Sequence, residues 1–85
     1  MTEYAEVDPV LRVTVGVPVY TDDAQRVGTV KEIRGRTFKV GTGLFQKDYW
    51  LSADTIDTVV AGEPVVLAIT KDRLDPHKLE APRAA

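Results

Sequence analysis

The most informative part of the sequence is Val17-Pro-Val-Tyr-Thr-Asp-Asp-Ala-Gln-Arg-Val-Gly-Thr-Val-Lys-Glu-Ile33, in which two apolar runs, 17–20 and 27–33, flank a polar segment. Asp22 and Asp23 in that segment favour a turn, because their side chains hydrogen-bond to nearby backbone groups. Two apolar runs joined by such a turn predict a β-hairpin. The rest of the chain is interpreted as further strands added to this hairpin.

The hairpin strands have two irregular features. Valines at 13, 15, 17 and 19 alternate with polar or small residues, which is the period of a half-buried strand. Pro18 cannot donate to a strand ladder, so we expect this strand to lie at a sheet edge or to break near Gly16. The second strand has Val27, Val30 and Ile33 three residues apart, with a glycine after Val27. This spacing predicts a β-bulge.

Four further strands are predicted after the hairpin. Arg34-Gly35-Arg36 predicts a tight turn with a positive φ at the glycine, and Ser52 is expected to cap one helical turn. The strands are predicted at 37–40, 48–51, 56–60 and 64–69, with Phe38, Val40, Tyr49 and Leu51 facing inward and Trp50 at the rim. The fold class predicted by six such short strands is all-β, a small six-stranded antiparallel β-barrel with short terminal helical turns.

The chain is short enough to form only one domain. It has 85 residues, of which 44% are hydrophobic and 28% charged, a composition typical of a folded globular protein. We expect residues 10–75 to form the single β-barrel domain. Residues 1–9 are predicted to be a flexible lead-in, and residues 76–85 a frayed C-terminal tail.

Composition also predicts where the protein acts. It contains no cysteine, which fits a reducing compartment. Its N-terminus is acidic, where a secretory or transit peptide would be basic, and no apolar run approaches the roughly 20 residues that cross a bilayer. We expect a cytoplasmic protein without a membrane span.

Three segments of this sequence resemble the PRC-barrel superfamily. They are Val17-Pro-Val-Tyr, Asp22-Asp-Ala-Gln-Arg-Val-Gly-Thr-Val and Tyr49-Trp-Leu-Ser-Ala-Asp-Thr-Ile. The sequence departs from the family at Ala24, where a turn glycine is common, and at Ser52, where a proline is common. The resemblance implies a six-stranded β-barrel that acts as an adaptor or docking module, as in the photosynthetic reaction-centre H subunit and a bacterial ribosomal RNA maturation factor. It implies no shared active site.

The residue patterns that would indicate catalysis or metal binding are weak. The single histidine, His77, lies in the predicted tail, away from Ser52 and Asp54, so neither a relay nor a histidine metal site is expected. Gly41-Thr-Gly43 is not followed by the Lys-Ser/Thr pair of a phosphate-binding loop. The sequence therefore predicts a protein that is not an enzyme, with no catalytic residues, no metal and no cofactor.

The distribution of charge identifies one candidate binding segment. The net charge is −2, yet residues 34–47, the basic segment, contain four cations and no acid, with two phenylalanines between them. This composition is used by nucleic-acid surfaces, and it also occurs on the solvated face of a small barrel. The candidate partner-binding residues are Arg34, Arg36, Lys39, Leu44, Phe45, Lys47 and Trp50.

Two functions follow from these observations. The first is a non-catalytic PRC-barrel-like interaction module that binds a protein partner or itself, as a homodimer that covers an edge strand. The alternative is an RNA- or ribosome-associated barrel that binds an anionic partner through the basic segment.

Overall fold

The computed structural model describes residues 8–43 and 47–82, which form one sheet and several short 3₁₀ turns. The strands are β1 (Pro18–Tyr20), β2 (Arg26–Arg34), β3 (Thr37–Gly41), β4 (Tyr49–Ser52), β5 (Ile56–Thr58) and β6 (Val65–Leu67). The 3₁₀ turns span Pro9–Arg12, Ala53–Thr55, Lys71–Arg73 and Asp75–His77. The prediction of a six-stranded all-β fold with short helical turns is confirmed.

The arrangement of the strands differs from the predicted antiparallel barrel. Their order across the sheet is β4-β3-β2-β1-β6-β5, and the sheet is not closed. β1 and β6 run parallel, with Val19 opposite Val65 and Tyr20 opposite Val66, whereas the other pairs are antiparallel. The predicted barrel was therefore wrong in two respects, since the sheet is open and mixed.

The cause of the mixed sheet is the turn at Ala53–Thr55, which we name the crossing turn. From β1 to β4 each strand is antiparallel to the one before it, so β4 runs opposite to β1. β5 also runs opposite to β1, because it is antiparallel to β6. β4 and β5 therefore have the same direction, although they lie at opposite edges of the sheet. The crossing turn thus carries the chain from one edge to the other without reversing it. Ser52 caps this turn as predicted, because its Oγ accepts a hydrogen bond of 3.2 Å from the Asp54 amide.

The first strand is shorter and more central than the sequence predicted. Gly16 has a φ of 101° and the Val17 amide donates to the Thr14 carbonyl, so the chain turns here and β1 begins only at Pro18. The predicted break near Gly16 is present, but β1 lies between β2 and β6 rather than at an edge. Pro18 is tolerated because the first position of a strand is one where proline occurs.

The core is made by alternate side chains of all strands except β5. Phe38, Val40, Leu51 and Tyr49 face inward as predicted, and the apolar strand side chains that are essentially inaccessible are Val19, Val30, Phe38, Val40, Leu51, Val65 and Leu67. The predicted bulge in β2 lies at position 31, since Val30 pairs with Val40 and Glu32 with Lys39.

Gly28 lies close to β3. A Cβ at this position would clash with the Gly41 carbonyl oxygen and would lie 2.7 Å from Val40 Cγ1. Because glycine has no side chain, β2 can lie close to β3 at this position.

Residues of the predicted lead-in and of the predicted tail make hydrogen bonds to the rest of the domain. Asp8 caps the first 3₁₀ turn by accepting from the Val10 amide at 3.1 Å. Trp50 and Leu79 exchange two backbone hydrogen bonds of 2.8 Å each, so this part of the tail pairs with β4. The edge of β4 presents backbone groups that an extended segment can satisfy.

The helical segments bear on membrane association. The longest of them within the described residues has four residues, whereas a helix needs about 20 to cross a bilayer. The cytoplasmic location stays a prediction.

The departure from a turn glycine at position 24 provides a test of the hairpin. Ala24 has a φ of 63°, in the left-handed region that costs an L-residue roughly 1–2 kcal/mol. We expect Ala24→Gly to raise the free energy of unfolding by about 1 kcal/mol, which shifts Tm by about 4–8 °C in a domain of this size. Thermal unfolding followed by circular dichroism measures the shift.

A matched control is Ala61→Gly in another exposed turn, where the alanine has an ordinary negative φ. The same substitution there should lower stability by up to about 1 kcal/mol, because glycine loses more conformational freedom on folding. Equal shifts of Tm in the two variants would contradict a left-handed Ala24.

Candidate functional site

The fold separates the cations of the predicted basic segment, and one of them, Arg36, is paired with two carboxylates. Arg36 Nε donates to the Asp8 carboxylate, and Arg36 Nη2 donates to Asp54 Oδ1 at 3.1 Å. These acids lie 28 residues before and 18 residues after Arg36. Arg36 therefore joins the first 3₁₀ turn to the crossing turn and is a structural residue.

The neighbouring cations of the segment face different surroundings. Arg34 Nε lies 2.6 Å from Glu32 Oε2 on the same strand, in an exposed ion pair. Lys39 places its Nζ 5.9 Å from the centre of the Trp50 ring, which lies directly opposite on β4. Trp50 points away from the core, as predicted, but it is only 7% exposed rather than at an open rim. It is therefore a poor contact residue for a partner.

Lys47 lies at the other end of β3 from the hairpin turn. It is exposed, and the predicted partner-binding residues Leu44 and Phe45 lie outside the described residues. The turn with Arg34 and Arg36 precedes β3, whereas Lys47 follows it. A binding role for the seven predicted residues stays a prediction.

A different set of cations meets at the end of β1 where Tyr20 lies, which we name the basic end. Two adjoining grooves occur there, of about 410 and 250 Å³. They share Arg26, Val27 and Thr42, and the larger one adds Lys31. The smaller one adds Lys71 and Lys78. Every charged side chain that lines either groove is a cation.

The elements that assemble the basic end come from distant parts of the sequence. Because β6 runs parallel to β1, both strands end here, and the Asp22 amide donates to the Ile69 carbonyl at 2.8 Å. The Lys71 amide donates to Asp23 Oδ1 at 3.2 Å, which fixes the start of the third 3₁₀ turn. The pairing of Leu79 with β4 brings in the preceding Lys78. Counting charges along a single segment could not find this set.

Lys78 and Tyr49 form a small cluster at the edge of the smaller groove. Lys78 Nζ lies 4.7 Å from the centre of the Tyr49 ring and 2.9 Å from Asp75 Oδ1. Burial, aided by the negative charge of Asp75, raises the pKa of Tyr49 to about 12, so its phenol is neutral at physiological pH. The cluster therefore holds Lys78 in place and makes its ammonium less available than those of the other cations.

A third groove is lined by residues that are distant from one another in the sequence. It has about 350 Å³ and is lined in part by Ser52, Asp54 and His77. Ser52 Oγ accepts from the Asp54 amide, and the Asp54 carboxylate accepts from Arg36. No hydrogen bond among the described residues joins the His77 imidazole to Ser52 or Asp54. The three side chains are neighbours and do not form a relay.

The described part of the chain contains no group of three or more histidine, cysteine, aspartate or glutamate side chains arranged to hold a metal ion. The positively lined grooves at the basic end favour anions instead.

The opposite end of β1 carries an apolar surface, which we name the apolar end. Its members are Leu11, Val15 and Val60, which are 74%, 58% and 56% exposed. The Gly62 amide donates to Thr14 Oγ1 at 2.8 Å, so the loop before β1 lies against the turn between β5 and β6. Sequence periodicity missed this surface because it placed Val15 inside the first strand.

Comparison with known proteins gives no family assignment. No protein-family model matches the chain, and no curated protein or solved structure matches it significantly. The relationship to PRC-barrels therefore stays a prediction from the sequence.

We name the contacts of Arg36 with Asp8 and Asp54 the clamp. The clamp generates a prediction about how the free energy of unfolding depends on pH. The hydrogen bond from Arg36, together with that from the Val10 amide, holds the pKa of Asp8 below its ordinary value of 3.8. A carboxyl whose pKa is lower in the folded state stabilises the fold above its unfolded pKa, and this contribution is lost as pH falls through the folded pKa. We expect Asp8→Asn to be less stable than the natural protein at pH 7.

The expected difference should disappear at an acidic pH below the lowered pKa of Asp8, where the natural carboxyl is protonated too. Asparagine keeps the capping ability of position 8, so the substitution removes mainly the ion pair. Urea unfolding at both pH values measures the effect, with the exposed Asp57→Asn as control. Equal stability of Asp8→Asn and the natural protein at pH 7 would show that the clamp contributes nothing.

Proposed function

We propose that this chain is a non-catalytic, PRC-barrel-like interaction module that associates with a second copy of itself through the apolar end. The observation that carries the proposal is the exposure of Leu11, Val15 and Val60. Val15 and Val60 lie on loops that the Thr14–Gly62 hydrogen bond joins, and exposed apolar side chains gathered together on a small domain mark an interaction site more often than single ones do.

The apolar end is held in shape before any partner binds. The Thr14–Gly62 hydrogen bond ties together the two loops that carry Val15 and Val60. The 3₁₀ turn that carries Leu11 is capped by Asp8, which is bound in turn by Arg36. Little ordering is then needed on association, which favours binding because side-chain and loop ordering oppose it.

The flanking charges favour a second copy as the partner. Arg12 follows Leu11 and Glu63 lies three residues after Val60, and both are exposed. A two-fold symmetric contact places the same surface on both subunits, so Arg12 of one copy can approach Glu63 of the other. Three side chains are few compared with the roughly 800 Å² per partner of a stable interface, so we expect a Kd in about the micromolar to millimolar range.

The relationship to PRC-barrels is supported by particular features of the fold. Six strands are present. The first two along the chain form the β1–β2 hairpin, in which β2 carries a bulge, and Ser52 caps the turn after the aromatic strand β4. An adaptor needs a folded scaffold with a presented surface, and this arrangement provides one.

Sedimentation velocity over a range of protein concentrations tests the proposal. The natural protein should change from monomer to dimer as concentration rises. We expect Val60→Glu and Val15→Glu to weaken association at least about tenfold, because each places a charge in the centre of the apolar contact. Ala68→Glu adds the same charge at an exposed position near the third groove and should leave association unchanged.

Two results would overturn the proposal. One is a protein that stays monomeric at millimolar concentration. The other is equal weakening of association by Ala68→Glu and Val60→Glu, since a general effect of charge would then replace a specific contact. Circular dichroism of each variant confirms that the fold is retained.

A further inference from the structure

We propose that the two grooves at the basic end bind the phosphodiester backbone of a single-stranded nucleic acid. This inference concerns the end of β1 opposite to the apolar end and does not depend on self-association. It also differs from binding through residues 34–47, because none of its four cations lies in that segment.

The charge of the grooves is the first support. Four cations line them, Arg26, Lys31, Lys71 and Lys78, and no acid does so. This arrangement occurs in a chain whose net charge is −2. A concave surface lined by one sign of charge concentrates the field that attracts a ligand of opposite sign.

The pairing of these cations is the second support. Within residues 8–43 and 47–82, no ion pair involves Arg26, Lys31 or Lys71, whereas Lys78 is bound by Asp75. Asp23 accepts the Thr21 hydroxyl and the Lys71 amide, and the charge of Lys71 also stabilises its carboxylate without a close ion pair. Within the described ranges three of the groove cations thus have no ion-pair partner, whereas Arg34 and Arg36 are engaged by acids elsewhere.

The neutral lining suits phosphate oxygens. Arg26 Nη2 donates to Thr29 Oγ1 at 3.1 Å, which orients the guanidinium. Thr42 lines both grooves, and its hydroxyl and amide donate to the Lys47 carbonyl at 3.4 Å and to Asp48 Oδ1 at 3.3 Å. Gly41 and Gly43 line the larger groove, and no atom of the described residues lies within 4 Å of the position of a Cβ on Gly43. Backbone without side chains lets a phosphate approach closely, and guanidinium, ammonium and hydroxyl groups are its usual donors.

The shape of the site favours a flexible chain with successive phosphates. The grooves adjoin at Arg26 and Thr42, so two neighbouring phosphates of one strand can enter them in turn. Among the residues that the structure describes, the one aromatic that lines either groove is Tyr49, which is 7% exposed and offers little surface for base stacking. Binding should therefore depend on the backbone and be insensitive to base sequence.

Fluorescence anisotropy with a labelled ten-nucleotide oligouridylate, measured across salt concentrations, tests this inference. Neutralising three or four phosphates of a single strand predicts that log K falls with log salt with a slope of about −2 to −3. Arg26→Ala removes the cation common to both grooves and should reduce the steepness of that slope by about 0.7, as should Lys71→Ala. Arg26→Lys keeps the charge and should retain the slope.

The matched controls are Arg34→Ala and Lys39→Ala, which remove one charge each from the basic segment and should leave binding unchanged. An oligonucleotide that does not bind at the lowest salt, or that binds as weakly to Arg34→Ala as to Arg26→Ala, would overturn the inference. Tripolyphosphate and a polyglutamate peptide serve as competitors. Binding of either competitor in place of the oligonucleotide would overturn the assignment to a nucleic acid.

Discussion

The structure depends on the crossing turn at Ala53–Thr55. It hydrogen-bonds to both halves of the sheet, because the Ala53 amide donates to the Arg36 carbonyl and the Thr55 carbonyl accepts from the Ala68 amide, each at 2.8 Å. Its own shape is fixed by the Ser52 cap and by the Thr55 hydroxyl, which donates to the Ser52 carbonyl at 2.7 Å. The turn therefore holds the two edges of the sheet near each other without a ladder between β4 and β5.

The parallel pairing of β1 and β6 follows from this turn, and it determines which residues meet. Had the turn reversed the chain, β6 would run against β1 and the residues after it would lie near the apolar end. In the observed direction they follow Tyr20, which brings Lys71 to Asp23 and Arg26. One surface is apolar and the other cationic, and they lie at opposite ends of the central strand β1. A partner at one end therefore leaves the other end accessible.

Local features of the fold could be predicted from the sequence, and long-range ones could not. The hairpin, its bulge, the inward faces of β3 and β4 and the Ser52 cap depend on nearby residues with clear preferences. Whether the turn after Ser52 reverses the chain depends on which edge β5 joins, and local preferences do not encode this. The pairing of Leu79 with Trp50 also joins distant positions.

In the candidate site, too, local features could be predicted from the sequence and long-range contacts could not. Four cations without an acid predicted a charged surface at 34–47, yet Asp8 and Asp54 neutralise Arg36 from far along the chain. The basic end could not be predicted because Lys71 joins Arg26 only through the parallel pair. Charge counts over a window measure composition, whereas a binding surface depends on topology.

The direction of β6 is the claim on which the rest depends, and nuclear Overhauser contacts in the isotope-labelled protein test it most directly. The account predicts cross-peaks between Val19 and Val65 and between Asp22 and Ile69, because residue numbers rise together along a parallel pair. Cross-peaks that instead join Asp22 to Glu63 or Pro64 would show an antiparallel pair and would contradict the account.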